Sequence, residues 1–302
     1  MNIYFNKILS NKIILLSGNH TSGKSLMNIY LNCFSGLEVV HKEPLIGSIS
    51  SLYYSKQINE NTSKFLLNFI INNSIRYNQI GRKLNTKISD ETSIFNHSNP
   101  EIYLKRIFNV KNKSKNNFHI FDTHNVILSF KLWKKTLKNF SVIHLERHPI
   151  DIVESCYRRK NFLINKNYHE ILSFEKNQKL IPFYLFNINK NNDSLINTTI
   201  DIIYKIFIQN LLFIKKYKKN NLIVINFEKL KSNPIIQLSK IKKKFKLRFN
   251  NLLKNKILEE TKNIEEIKKK REISFQKISK ICSKKHLLKL IKIGKIYDDQ
   301  IG

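Results

Sequence analysis

Cysteine is scarce in this chain of 302 residues. The three present, Cys33, Cys156 and Cys282, lie far apart. An odd number with no CxxC spacing argues against a disulfide framework and against a zinc site, and it fits a reducing compartment. Long apolar runs are also lacking. The run at 13–16 is too short for a signal-peptide core or a membrane span, so the expected location is cytoplasmic. Acidic residues form the third shortage, with 22 Asp and Glu against 54 Lys and Arg, a formal net charge of +32. That imbalance sets up a positive field that draws phosphate, sulfate, nucleic acid or anionic lipid surfaces. Much of the lysine is unpatterned and mixed with Asn and Ile. It reads as compositional bias with a modest anion preference, and no specific nucleic-acid partner is expected.

Hydrophobic residues make up 41% of the chain, enough for a packed core. Five short apolar runs, at 13–17, 37–41, 118–122, 142–146 and 222–227, read as buried parallel strands. Helical periodicity follows several of them, starting at Ser25, at Pro149, across 199–218, from Pro234 and across 283–293. The expected fold class is α/β, three-layered and P-loop-like, with a central parallel sheet of about five strands flanked by helices. It forms a single domain over 1–302 with helical insertions at about 47–117 and 160–197. Ligands of such sheets sit at the C-terminal strand ends, so both insertions are assigned to acceptor binding. The Lys-rich stretch 254–280 reads as a solvated helix or loop.

The strongest local signal is Gly18-Asn19-His20-Thr21-Ser22-Gly23-Lys24-Ser25, between an expected strand and an expected helix. It matches G-x-x-x-x-G-K-S. Backbone N–H groups in such a turn, together with the helix N-terminus, hold phosphate. A second signal runs from Val142 to Ser155. Arg147 sits at a strand end, and Ser155 follows eight residues later, about two helical turns on. The guanidinium offers a fork for a phosphate and the hydroxyl a further donor. Asp122, at the end of the third run, also suits a metal-holding acid in a kinase or NTPase that uses ATP and Mg²⁺.

On these residues the chain resembles the sulfotransferases that use 3′-phosphoadenosine-5′-phosphosulfate (PAPS), in particular their bacterial and Golgi-type branches. The segment from Ser17 to Leu26 is similar to the family's loop for the 5′-phosphosulfate. Arg147, Pro149, Asp151 and Ser155 match its R-x-P-x-D-x-x-x-S stretch for the 3′-phosphate. Residues 225–234 are similar to its late Tyr-Glu-Asp-Leu-x-x-x-Pro segment. The resemblance spans about 12–240. It implies transfer of a sulfuryl group from PAPS, without a metal, to an acceptor hydroxyl on a small molecule or glycan, with a carbohydrate first. It assigns Gly18, Asn19, His20, Thr21, Ser22, Gly23, Lys24, Ser25, Leu26, Arg147 and Ser155 to nucleotide binding. Thr21 stands where the family usually has Lys or Arg, so Lys24 and His20 are the candidates for that catalytic charge. Glu43 is the expected base, with His41 and His124 behind it. The rivals are a P-loop kinase or NTPase, a basic nucleic-acid-binding protein, and a sulfotransferase that binds without turnover.

Overall fold

The computed structural model describes residues 8–10, 12–19, 21–108, 117–123, 126–159, 173–176, 179–182, 194–217, 221–250, 257 and 261–301. The chain runs through β1 (Ile13–Gly18), α1 (Lys24–Leu31), β2 (Phe34–Ser35), β3 (His41–Lys42), α2 (Pro44–Tyr54), α3 (Glu60–Gln79) and α4 (Pro100–Ile107). There follow β4 (His119–Asp122), α5 (Phe130–Thr136), β5 (Phe140–Glu146), α6 (Pro149–Arg158) and the hairpin β6 (Ser173–Lys176) and β7 (Lys179–Pro182). The last part holds α7 (Leu195–Tyr217), β8 (Leu222–Asn226), α8 (Phe227–Ser232), α9 (Pro234–Phe245), β9 (Arg248–Phe249), α10 (Ile264–Ser279) and α11 (Lys284–Gln300).

Five strands form one parallel sheet in the order β3-β4-β1-β5-β8. Alternate side chains leave the sheet on opposite faces, and each face meets its own helices. Ile14, Leu16, Ile120, Ile143, Leu145, Ile223 and Ile225 pack with α1 and α9. Ile13, Leu15, Phe121, Val142 and Leu222 pack with α2, α3, α5 and the end of α7. This is the expected three-layer α/β architecture. A further apolar cluster joins α6, α7, α10 and α11. No helix among the described residues is long and apolar enough to cross a membrane.

Departures from the expected elements have local causes. The run 37–41 yields a strand only at its end. Leu37 makes an isolated bridge to Phe118, Glu38 turns inward to Arg106, and the Val39 N–H is taken by the Tyr103 hydroxyl at 2.9 Å. Phe227 leaves β8 and opens α8, because the Asn226 side chain accepts the Lys229 N–H at 2.7 Å and caps the helix. The first insertion, expected to be helical, contains α3 and α4. In α3 the buried stripe is Leu67, Ile71 and Ile75, while Phe69 faces outward. The second insertion, 160–197, lies largely outside the described residues. The Lys-rich stretch carries α10, a largely exposed helix as the solvated reading expected, although it buries Ser274 and Ile278 and turns Arg271 toward Asp151.

The Glu38–Arg106 pair is a two-pronged contact at 2.7 and 2.9 Å, with both residues almost fully buried. Removing one partner strands the other charge in the interior, which costs about 3–5 kcal/mol. Arg106→Met is therefore expected to lower the urea-unfolding free energy by roughly that amount. The double variant Glu38→Gln/Arg106→Met recovers part of the loss. A single variant as stable as the parent contradicts a charged pair here.

Candidate functional site

Parallel pairing sets Gly18 level with Leu145 and Leu16 level with Asp122 and Ile143. The loops leaving β1, β4 and β5 therefore emerge side by side at the C-terminal edge of the sheet. The loop after β1 is tight. Ser22 N–H bonds the Asn19 carbonyl at 3.2 Å, and Thr21 and Gly23 both take the left-handed conformation, with φ of 62° and 98°. Gly23 is the N-cap of α1 and supplies no side-chain cap, and the first turn holds no acid. A Cβ on Gly23 would lie 2.1 Å from the Phe227 ring, so glycine is required for conformation and for space. The buried side-chain atoms Ser17 Oγ, Asn19 Nδ2 and Ser22 Oγ have no hydrogen-bond partner among the described residues. Buried polar groups seldom stay unmatched, and a polar ligand in the loop would match them.

Arg147 reaches this loop directly. Its Nη1 donates to the Thr21 carbonyl at 2.7 Å, and the guanidinium lies 5.0 Å from the Phe227 ring centroid. Nε is buried and has no hydrogen-bond partner among the described residues. Thr21 also lies beside Cys156 of α6, whose thiol is pushed up to about 12 by burial. Ser155, one residue earlier, is 3% exposed, and no hydrogen bond joins it to Arg147 among the described residues. Beyond Arg147, the C-terminal helices clamp the turn into α6. Arg271 of α10 bonds Asp151 at 3.2 Å and pairs with Glu228 at 3.2 Å. Glu228 in turn accepts the His148 N–H at 3.0 Å and the Tyr297 hydroxyl. The Glu228 carboxyl is raised by burial. Burial, with the charge of Arg271 next, holds His148 at about 3, so its Nδ1 stays a free acceptor for the Ile150 N–H that caps α6.

The expected catalytic residues are less closely gathered. Lys24 donates to Asp122 Oδ1 at 2.7 Å and to the Thr123 carbonyl at 2.9 Å, and Asn28 takes the other Asp122 oxygen at 3.1 Å. Glu43 sits at the N-cap position of α2, with no side-chain cap bond, at the end of β3 and two strands from β1, which is roughly 10 Å across the sheet. Its carboxylate accepts from Ser74 at 3.1 Å and Lys83 at 3.2 Å. His41 stacks on Phe121 at 4.7 Å and faces His119 at 3.4 Å, and burial holds it at about 3. Of the other loop residues, Ser25 is exposed and Leu26 packs against the core. His20 and His124 lie outside the described residues.

Three contributors escaped the sequence patterns. Phe227 sits in the matched late segment but gave no sign that its ring fills the space over Gly23. Lys231 lies 5.6 Å from the same ring, and its ammonium is pulled below the usual range by burial, then by Lys262, Arg147 and Lys270. Arg271 was one basic residue in a basic stretch, and only its three-dimensional partners set it apart.

No protein-family model matches this chain, and no curated protein matches it. Among solved structures it is similar to the sulfotransferase domain of the Synechococcus PCC 7002 olefin synthase. Identity there is 12%, coverage is 98% of each chain and the TM-score is 0.44. It is also similar to the sulfotransferase domain from the curacin biosynthetic pathway, at 13% identity, 81% and 77% coverage and a TM-score of 0.42. A Mycobacterium tuberculosis H37Rv sulfotransferase follows at 10% identity, 85% and 75% coverage and a TM-score of 0.41.

Gly23→Ala should both strain the backbone, by about 1–3 kcal/mol, and displace the Phe227 ring. Gly47→Ala, inside α2 with open space around its Cβ position, should stabilise by about 0.5–1 kcal/mol. Thermal melts of the two variants check this, and equal behaviour would contradict the packing of Phe227 on the loop.

Proposed function

We propose that this chain binds PAPS and transfers its sulfuryl group to an acceptor hydroxyl. The observation that carries this reading is the contact of Arg147 with the 18–25 loop at Thr21. The two matched motifs, 126 residues apart in sequence, come into contact there. One nucleotide with phosphate at both the 5′ and the 3′ position suits that arrangement. The buried Ser17, Asn19, Ser22 and Arg147 polar atoms that lack partners among the described residues support it.

In this reading the loop amides and the α1 N-terminus hold the 5′-phosphosulfate, and Arg147, with Ser155 on α6, holds the 3′-phosphate. Lys24 lies where charge builds on the leaving phosphate oxygen, held at the β4 end by Asp122 and Thr123. The acceptor oxygen bonds to sulfur in line as the sulfur–oxygen bond to the phosphate breaks. Glu43 takes the acceptor proton, and adenosine 3′,5′-bisphosphate leaves. Ser74 and Lys83 hold the Glu43 carboxylate in place for that step. The family resemblance makes a carbohydrate hydroxyl the proposed acceptor. A second reading, an ATP-dependent P-loop enzyme, is favoured by the Lys24–Asp122 pair at 2.7 Å, which sets an acid beside the loop lysine.

Calorimetric titration separates the two. A charge-assisted contact to the 3′-phosphate is worth on the order of 2–3 kcal/mol, so adenosine 3′,5′-bisphosphate should bind about 30- to 150-fold tighter than ADP. Arg147→Ala should erase most of that preference. Equal affinity for both ligands, or a preference for ADP with Mg²⁺, overturns the PAPS reading.

A further inference from the structure

Beneath the 18–25 loop lies a buried polar chain that no motif identifies. Glu146, the last residue of β5, is 0% exposed, and Asn210 of α7 and Asn19 of the loop are 3% and 2% exposed. Glu146 Oε1 lies 2.7 Å from His144 Nε2 and accepts from Asn210 Nδ2 at 2.9 Å. The same Asn210 nitrogen donates to Asn19 Oδ1 at 3.4 Å. The direction of this chain follows from chemistry. A carboxylate only accepts, so Asn210 must offer it the NH₂ group. The second hydrogen of that NH₂ then faces Asn19, which must answer with its oxygen. The Asn19 amide nitrogen is thereby turned the other way, and it is buried without a partner among the described residues.

We propose that Glu146 is a positioning residue that, through Asn210, fixes the orientation of the Asn19 side chain, so that Asn19 Nδ2 donates to the anion held by the loop. The inference rests on the loop being an anion site, and it is indifferent to which nucleotide carries the anion. A glutamate buried beneath an anion site works against binding by its charge. Its use here is to set the polarity of two amides that could otherwise flip at little cost.

Inorganic pyrophosphate is the probe, since it engages the loop and makes no use of an adenosine or a 3′-phosphate. Its affinity should fall roughly ten-fold or more in Asn19→Ala, as expected for loss of a donor to a charged group. Asn210→Ala, which removes the donor that holds Asn19 Oδ1, should show a similar fall. The double variant Glu146→Gln/Asn210→Asp restores a hydrogen bond between positions 146 and 210 and keeps the charge, but it turns an acceptor toward Asn19. It should bind as weakly as Asn210→Ala, and the Asn19 side-chain amide resonance, which shifts on pyrophosphate addition in the parent, should stay in place. Parent-like affinity in the double variant overturns the proposal, because a structural pair would be rescued by the swap. Should the double variant fail to fold, undiminished affinity in Asn210→Ala is equally fatal. A parent that binds no pyrophosphate removes the anion loop and this proposal together. A parent that binds it but does not prefer adenosine 3′,5′-bisphosphate over ADP removes only the PAPS reading.

Discussion

The hydrogen bond from Arg147 Nη1 to the Thr21 carbonyl is the constraint on which the rest of the site depends. It exists because β1 and β5 are neighbours in parallel register, with Gly18 level with Leu145. Two residues beyond Leu145 the chain has left the sheet, and the Arg147 side chain reaches back across the loop after β1. The Phe227 ring packs close to both Gly23 and the guanidinium. A slip of one residue in the pairing would send Arg147 to the other face of the sheet and separate the two motifs.

Charge is handled in layers around this contact. Acids near the site are occupied: Asp122 by Lys24 and Asn28, Asp151 by Arg271, and Glu228 by Arg271, Tyr297 and the His148 N–H. Cations gather near the Phe227 ring, where burial first, and then the charges of Lys262, Arg147 and Lys270, lower the basicity of Lys231. Like charges held together raise the energy of the empty site, and an anionic ligand relieves that repulsion. The net charge of +32 therefore has a local expression at the C-terminal edge of the sheet, beyond its general effect on the surface.

Much of the architecture was legible because it is written in local patterns. Runs such as Ile13-Ile14-Leu15-Leu16 are buried on both faces, and a strand buried on both faces has no alternation to obscure it. Pro149 and Pro234 start helices as their fixed φ suggests. The loop after β1 and the position of Arg147 were equally readable, since glycine spacing and the strand end locate them. Long-range polar contacts were not. Glu38 and Arg106 are 68 residues apart, Asn19 and Asn210 are 191 apart, and nothing in either neighbourhood marks the partner. Glu43 is an intermediate case. Its place at the end of β3 follows from the pattern, whereas its ties to Ser74 and Lys83 emerge only once α3 is folded over it.

The central claim is that one doubly phosphorylated adenosine spans the 18–25 loop and Arg147. A crystal structure of the chain with adenosine 3′,5′-bisphosphate tests it most directly. The account predicts the 5′-phosphate within hydrogen-bond distance of the loop amides and the 3′-phosphate on the Arg147 guanidinium, with the adenosine between them. A nucleotide bound away from the 18–25 loop, or one whose 3′-phosphate points to solvent while Arg147 stays on Thr21 alone, would contradict it.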